Sequence, residues 1–153
     1  MGVRSDIEDG LAARLMTITA ANGYGTDVVN VYYNKIPMGL RLEEYELPAL
    51  LLIAGNDTIK RQSQCIYGSW QFYIQLIHTD VPDSVMFDFV RDVFKAIYSD
   101  SPTADKLDAF KTIHTSVYDI EPIVLEPDLN TIEANRFGLI EINVKYTTKL
   151  NQL

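Results

Sequence analysis

The stretch Leu139-Ile140-Glu141-Ile142-Asn143-Val144-Lys145-Tyr146-Thr147-Thr148-Lys149-Leu150 decides how this chain folds. Ile140, Ile142, Val144 and Tyr146 alternate with Glu141, Asn143, Lys145 and Thr147, so an extended backbone turns the apolar side chains to one side and the polar ones to the other. At ~3.3 Å per residue the segment reaches ~40 Å. That matches the width of a compact chain of this length, whose radius of gyration is ~15 Å. An ordinary strand has only about 5–6 residues. Two arrangements accommodate the excess. Part of the strand lies along an edge, or projects beyond its sheet, and offers unpaired backbone groups to a neighbouring subunit. Alternatively, the strand stays within the sheet and curves through a bulge. The first arrangement points to assembly.

Upstream, Ser5 and Glu8 have the spacing of a capping box, and Ile7, Leu11, Leu15 and Ile18 recur at helical intervals, predicting a helix over Asp6 to Ala21. Asn22-Gly23-Tyr24-Gly25 stops it, because glycine closes a helix in the left-handed conformation without steric cost. Val28 to Tyr33 favours a strand. The apolar run Ala49 to Ala54 reads as a central strand, and Trp70, Phe72, Ile74 and Leu76 alternate with Gln71, Tyr73 and Gln75 as its half-buried return partner. Between them Gly55-Asn56-Asp57-Thr58 reads as a turn and Lys60 to Gln64 as an exposed connection, together a wide hairpin, with Gly68 marking a bulge.

Asp80, Pro82 and Asp83 begin a helix to about Ser99 whose stripe is Val85, Met86, Phe89, Val90, Val93, Phe94 and Ile97, while Asp88, Arg91, Asp92 and Lys95 face water. Asp105 to Ile113 reads as a short helix, and Val117 to Ile120 and Ile123 to Leu125 as strand pieces around Pro122, with Pro127 barring a regular central strand. This order predicts an α+β fold, with helices packed against an antiparallel or mixed β-sheet and a long C-terminal strand, in one domain over residues 1–153.

Composition narrows the function classes. The 153 residues carry 13 Lys plus Arg against 21 Asp plus Glu, a formal charge of −8, so the surface repels nucleic acid unless its cations cluster. Lys60-Arg61 is the one adjacent basic pair, which argues against sequence-specific DNA binding. Cys65 is the single cysteine, excluding an intrachain disulfide and fitting a reducing compartment. The opening residues lack an apolar signal core, and no apolar run is long enough to cross a bilayer.

The residues that carry chemistry are sparse. No Gly-x-Ser-x-Gly elbow surrounds any serine, and Cys65 in Gln64-Cys65-Ile66 reads as a buried or half-buried inert thiol. His78-Thr79-Asp80 with His114 supplies the raw material of a metal site, but His78 continues an apolar strand face and reads better as a hydrogen-bonded rim histidine. Glu43, Glu44, Glu46, Glu121, Glu126 and Glu133 offer carboxylate pairs, whose default in loops is solvated acid. No catalytic residue, cofactor or metal is assigned.

The N-terminal helix, the Leu47-Pro48-Ala49 start of an apolar strand, the Trp70 to His78 strand, the Pro82 to Ser99 helix and the terminal Ile140 to Tyr146 strand together resemble the tail-terminator, or tail-completion, proteins of long-tailed bacteriophages. The likeness spans nearly the full chain and is one of element order, length and character, not of a chemical motif. Ser99-Asp100-Ser101-Pro102 departs from the glycine-containing turn expected after the long helix, which leaves room for a related neck protein.

The resemblance implies a non-enzymatic virion protein. It would form a homo-oligomeric ring, usually a hexamer, that caps the tail tube, stops its polymerisation and joins the tail to the neck or connector. Its partners are other copies of itself, the major tail tube protein and the neck or connector protein, with DNA only in non-specific passage through the lumen and no membrane. Its place is the tail/neck junction of the virion, after assembly in the host cytoplasm. A heterologous contact closed by rotation is required, for which the segment Glu121 to Phe137 and the last strand are suited. Glu126, Asp128, Arg136, Glu141, Asn143, Lys145 and Thr147 are therefore the subunit-interface candidates. The acidic balance predicts an acidic lumen that repels passing DNA. Two other classes compete: a small cytosolic α+β enzyme using a carboxylate or the two histidines, and a soluble adaptor or inhibitor that binds one partner without self-assembly.

Overall fold

Alternation of apolar and polar residues through Trp70–Leu76 and Leu139–Thr147 builds the two interior strands, and everything else is arranged around them. A computed structural model of the chain describes residues 2–33, 46–99, 112–126, 131–132 and 135–153. The elements run α1 (Val3–Leu15), β1 (Asn30–Tyr32), β2 (Ala49–Gln62), β3 (Cys65–Thr79), α2 (Asp83–Ser99), β4 (Val117–Glu126), β5 (Thr131–Ile132) and β6 (Asn135–Lys149). The strands form one sheet in the order β1-β2-β3-β6-β4, with β5 paired to the start of β6. β1 runs parallel to β2 and the other neighbours are antiparallel, so the fold is α+β with a mixed sheet.

The last strand is longer than expected and sits elsewhere. β6 is paired to β3 along its whole length, from Asn135↔Thr79 to Lys149↔Cys65, and to β4 from Leu139↔Glu126 to Tyr146↔Val117. From Leu139 to Tyr146 it is an interior strand, so the expectation that part of it lies on an edge or projects with unpaired backbone is overturned for all but its last residues, Thr148 and Lys149, which among the described residues pair with β3 alone. Ile140, Ile142, Val144 and Tyr146 are buried, and Glu141, Asn143, Lys145 and Thr147 occupy the opposite face. The edges belong instead to β4 and, beyond the short β1 contact at Ala49–Leu51, to β2.

The β2–β3 hairpin is tight where a wide one was expected. Gln62 pairs with Cys65, leaving Ser63 (φ 58°) and Gln64 as the loop, and Lys60, Arg61 and Gln62 are strand residues. Gly55 and Asn56 form no turn; they fall in a bulge between the pairs Ala54↔Phe72 and Asp57↔Trp70. Gly68 lies in regular register, opposite Ile59 and Tyr146, and makes no bulge. It is glycine because the Tyr146 ring rests on it: a Cβ there would lie 2.3 Å from Tyr146 Cε1.

Both helices cover one face of the sheet. Ile7, Leu11 and Leu15 of α1 and Met86, Phe89, Val90, Val93 and Ile97 of α2 join Leu50, Leu52, Phe72, Ile74, Leu76, Ile140 and Ile142 in the main core. Each such side chain contributes ~1.5–3 kcal/mol when fully buried. Arg14 is nearly buried and donates to the Ala96 carbonyl at 2.9 Å, tying α1 to α2, and the Tyr98 hydroxyl donates to the Ile120 carbonyl at 2.7 Å, tying α2 to β4.

α1 departs from the capping-box reading. It begins at Val3 with Gly2 at the N-cap, which places Ser5 inside the helix, and it ends at Leu15. There the Thr17 hydroxyl donates to the Arg14 carbonyl at 2.6 Å, a local alternative to another helical turn. A short 3₁₀ turn, Ala20–Asn22, then closes at Gly23 with φ 90°. α2 follows its predicted span and stripe except at Asp92, which is buried and accepts the Thr26 backbone N–H at 2.8 Å. β4 runs through Pro122 as one strand with two register shifts. Most of the expected short helix Asp105 to Ile113, together with Pro127, Glu43, Glu44 and Glu133, lies outside the described residues.

Candidate functional site

The opposite face of the sheet bears neither helix, and on it lie the residues that alternation turned outward. Tyr67, Ser69, Gln71, Tyr73 and Gln75 of β3 stand beside Glu141, Asn143, Lys145 and Thr147 of β6. Gln71 Nε2 donates to Glu141 Oε1. Lys145 Nζ meets Glu121 Oε1 across to β4 at 3.1 Å, and this hydrogen bond raises the Lys145 pKa. At one end a small apolar group, Leu51, Ile77 and Phe137 with Tyr32 and Leu47, interrupts the polar surface.

Four of the seven interface candidates, Glu141, Asn143, Lys145 and Thr147, therefore form a row on the open face of an interior strand. Glu126 is exposed at the end of β4. Asp128 lies outside the described residues. Arg136 is turned into the protein on the helix-covered side, where it donates to the Val81 carbonyl and to Asp83 Oδ1, each at 2.7 Å. Its guanidinium clamps the start of α2 onto β6, and its burial removes it from the surface.

Beyond Ala54 the β2–β3 hairpin and the end of β6 form an arm fixed by a cluster that sequence reasoning missed. The bulge at Gly55-Asn56 changes the parity of β2, so Asp57 falls opposite Trp70 and points to the helix side. There its Oδ2 accepts Arg4 Nε at 2.8 Å and the Tyr146 hydroxyl, which also receives Arg4 Nε at 3.3 Å. Burial, then the hydrogen bond to Asp57, pushes the Tyr146 phenol up to about 12, and the hydrogen bond to Tyr146 raises Arg4. The bulge costs two ladder positions and gains this tether between α1, β2 and β6. The Trp70 indole N–H uses one of the freed groups, the Gly55 carbonyl, at 3.2 Å.

Both outer strands expose apolar and charged side chains. On β2, Ile53 is exposed ahead of the bulge, and Ile59 is exposed beside Lys60 and Arg61 on the arm. On β4, Tyr118, Ile123 and Leu125 are 45 to 49% exposed among Asp119, Glu121 and Glu126. Among the described residues no strand pairs with the outer side of Ile53–Gln62 or of Val117–Glu126. The signal was present in the sequence as a segregation of charge: Lys60-Arg61 on one segment, Asp119, Glu121 and Glu126 on the other.

The histidines do not converge. His78 sits at the Arg136 end of the sheet and His114 near Thr147, whose N–H bonds the Ser116 carbonyl at 3.0 Å, so about 35 Å of strand separates them. His78 Nδ1 accepts the Thr79 N–H at 2.8 Å, its ring stands edge-on to Phe89, and burial lowers its pKa, the environment of a rim histidine. His114 borders an open cleft of about 550 Å³ with Gly2, Asp6 and Leu153. Its Nδ1 accepts the Ser116 N–H at 3.0 Å, and its Nε2 faces Asp6 at 4.0 Å. The fold thus engages Nδ1 by a hydrogen bond, while Nε2 lies beyond hydrogen-bond distance of Asp6.

Among the described residues no three His, Cys, Asp or Glu side chains gather to hold a metal, and no helix is long and apolar enough to cross a membrane. Cys65, expected to be at least half-buried, is exposed beside the hairpin loop. No model of a known protein family matches the chain, and no curated protein matches it in sequence.

Proposed function

We propose that this protein is a ring-forming component of a virion that caps the tail tube, ends its polymerisation and links the tail to the neck. The observation that carries the reading is the outer sides of β2 and β4, which no strand among the described residues pairs, on opposite sides of a sheet whose interior strands are paired on both flanks over most of their length. Two different open edges on one sheet allow copies to join head to tail, and head-to-tail contacts generate rings when the rotation closes. The order and character of the elements, which resemble tail-terminator proteins, supply the biological setting. The polar open face, with its tyrosines, glutamines and the row Glu141, Asn143, Lys145 and Thr147, is the broad surface on which a ring meets the tube or the neck.

Imaging of the purified protein by negative stain, alone and mixed with cognate tail tubes, tests the reading. Rings seated at tube ends, with tubes that no longer elongate, are the expected result. Bare tube ends, together with a monomeric sedimentation coefficient at high protein concentration, overturn it.

A further inference from the structure

The two open edges carry opposite charge. Between Ile53 and Gln62 the exposed ionic side chains are Lys60 and Arg61, since the one acid of that stretch, Asp57, is folded inward against Arg4 and Tyr146. Between Val117 and Glu126 every ionic side chain is acidic: Asp119, Glu121 and Glu126. Each edge also exposes apolar side chains, Ile53 and Ile59 on one, Tyr118, Ile123 and Leu125 on the other.

Strand direction and level agree with this complementarity. β2 and β6 run one way, β3 and β4 the other, so a second copy placed beside the first in the same orientation sets its β2 antiparallel to β4. Thr58, Ser69, Lys145 and Asp119 share one level across the sheet, and Ile53, Tyr73, Glu141 and Val124 share another. Across such a seam Thr58 meets Asp119 on the open face, Lys60 lies diagonal to Asp119 within reach of a long side chain, and Ile53 meets Val124.

Pairing like edges is opposed. Two β4 edges bring acids to acids, and two β2 edges bring cations to cations, in a chain whose formal charge is already −8. Pro122 and the two register shifts of β4 further discourage indiscriminate backbone pairing. We infer that the basic β2 edge of one copy docks against the acidic β4 edge of the next, so that charge selects a heterologous seam over the two isologous ones. The inference rests on the ring reading and assigns its contact surfaces.

A charge swap tests it. The K60E/R61E and D119K/E121K variants should each lose the ring and sediment as monomers with wild-type circular dichroism; K60E/R61E should also keep wild-type thermal unfolding, while D119K/E121K should melt somewhat lower because it breaks the Lys145–Glu121 pair within the monomer. An equimolar mixture should restore it, because each seam then joins an acidic β2 edge to a basic β4 edge or the reverse. D119N/E121Q serves if the reversed β4 variant fails to fold, with partial loss of the ring as its expected result. A wild-type ring that survives all reversals overturns the edge assignment and leaves the ring standing. Mixed variants that stop at a two-subunit particle overturn the heterologous seam. A wild-type protein that forms no ring, free or on tail tubes, overturns both readings.

Discussion

The interior strands β3 and β6 and the outer strands β2 and β4 are built to different rules. β3 and β6 alternate over their central stretches, Ile66 to Leu76 and Leu139 to Thr148, and pair with each other over fifteen residues in unbroken register. β2 has a bulge in mid-strand, and β4 carries Pro122 with two register shifts. The difference is physical: an interior strand must satisfy partners on both sides, whereas an outer one has freedom on one side and must avoid sticking to every other edge it meets. Regularity marks the middle of this sheet, and irregularity with charge marks its rim.

The largest expected effect lies in the interior. Phe72 is fully buried between strands and helices, and Phe72→Ala should cost ~3–5 kcal/mol in denaturant unfolding. Next is the tether of the arm. Asp57→Ala leaves Tyr146 and Arg4 without their shared acceptor and should cost about 2 kcal/mol, a figure reduced because Arg4 is partly in water; Asp57→Asn should lose less. Equal unfolding midpoints for Asp57→Ala and wild type would show that the bulge holds nothing. Gly68→Ala sets a methyl group against the Tyr146 ring and should cost ~1–3 kcal/mol, where a mild β-strand substitution would otherwise be nearly neutral.

The rim of the sheet gives smaller effects. Burial lowers the His78 pKa, so the unfolded chain takes up a proton near pH 6.5 before the folded one does. The stability His78 contributes is therefore present above pH 6.5 and lost as pH falls through its lowered folded value. His78→Asn should flatten the fall in melting temperature between pH 7.5 and pH 5; an unchanged slope would place the acid sensitivity elsewhere. Last, Ile123→Thr on the exposed outer strand should change monomer stability by less than about 0.5 kcal/mol while weakening the seam, which separates its role from that of Phe72.

The same contrast explains what could be read from the sequence. Trp70 to Leu76, Ile140 to Tyr146 and the α2 stripe were legible because one repeated constraint acts at every position. By sequence alone Lys60-Arg61-Gln62 reads as a connection and Gly55-Asn56-Asp57 as a turn, since local turn chemistry resembles a bulge until the partner strand is known. Arg136 looked like a surface charge because sequence does not reveal the α2 start it clamps. The interior position of β6 was equally hidden: strand length does not state how many neighbours a strand has. Of the candidate site, the row of alternating polar residues was visible, and the oppositely charged edges were present in composition but separated by more than fifty residues of chain.

Hydrogen exchange on the protein before and after ring assembly tests the account most directly. The backbone amides of Ile53–Gln62 that face away from β3, and those of Val117–Glu126 that face away from β6, should slow together on assembly, while the already paired amides of β3 and β6 change little. Assembly that leaves both outer strands exchanging as in the monomer would contradict it.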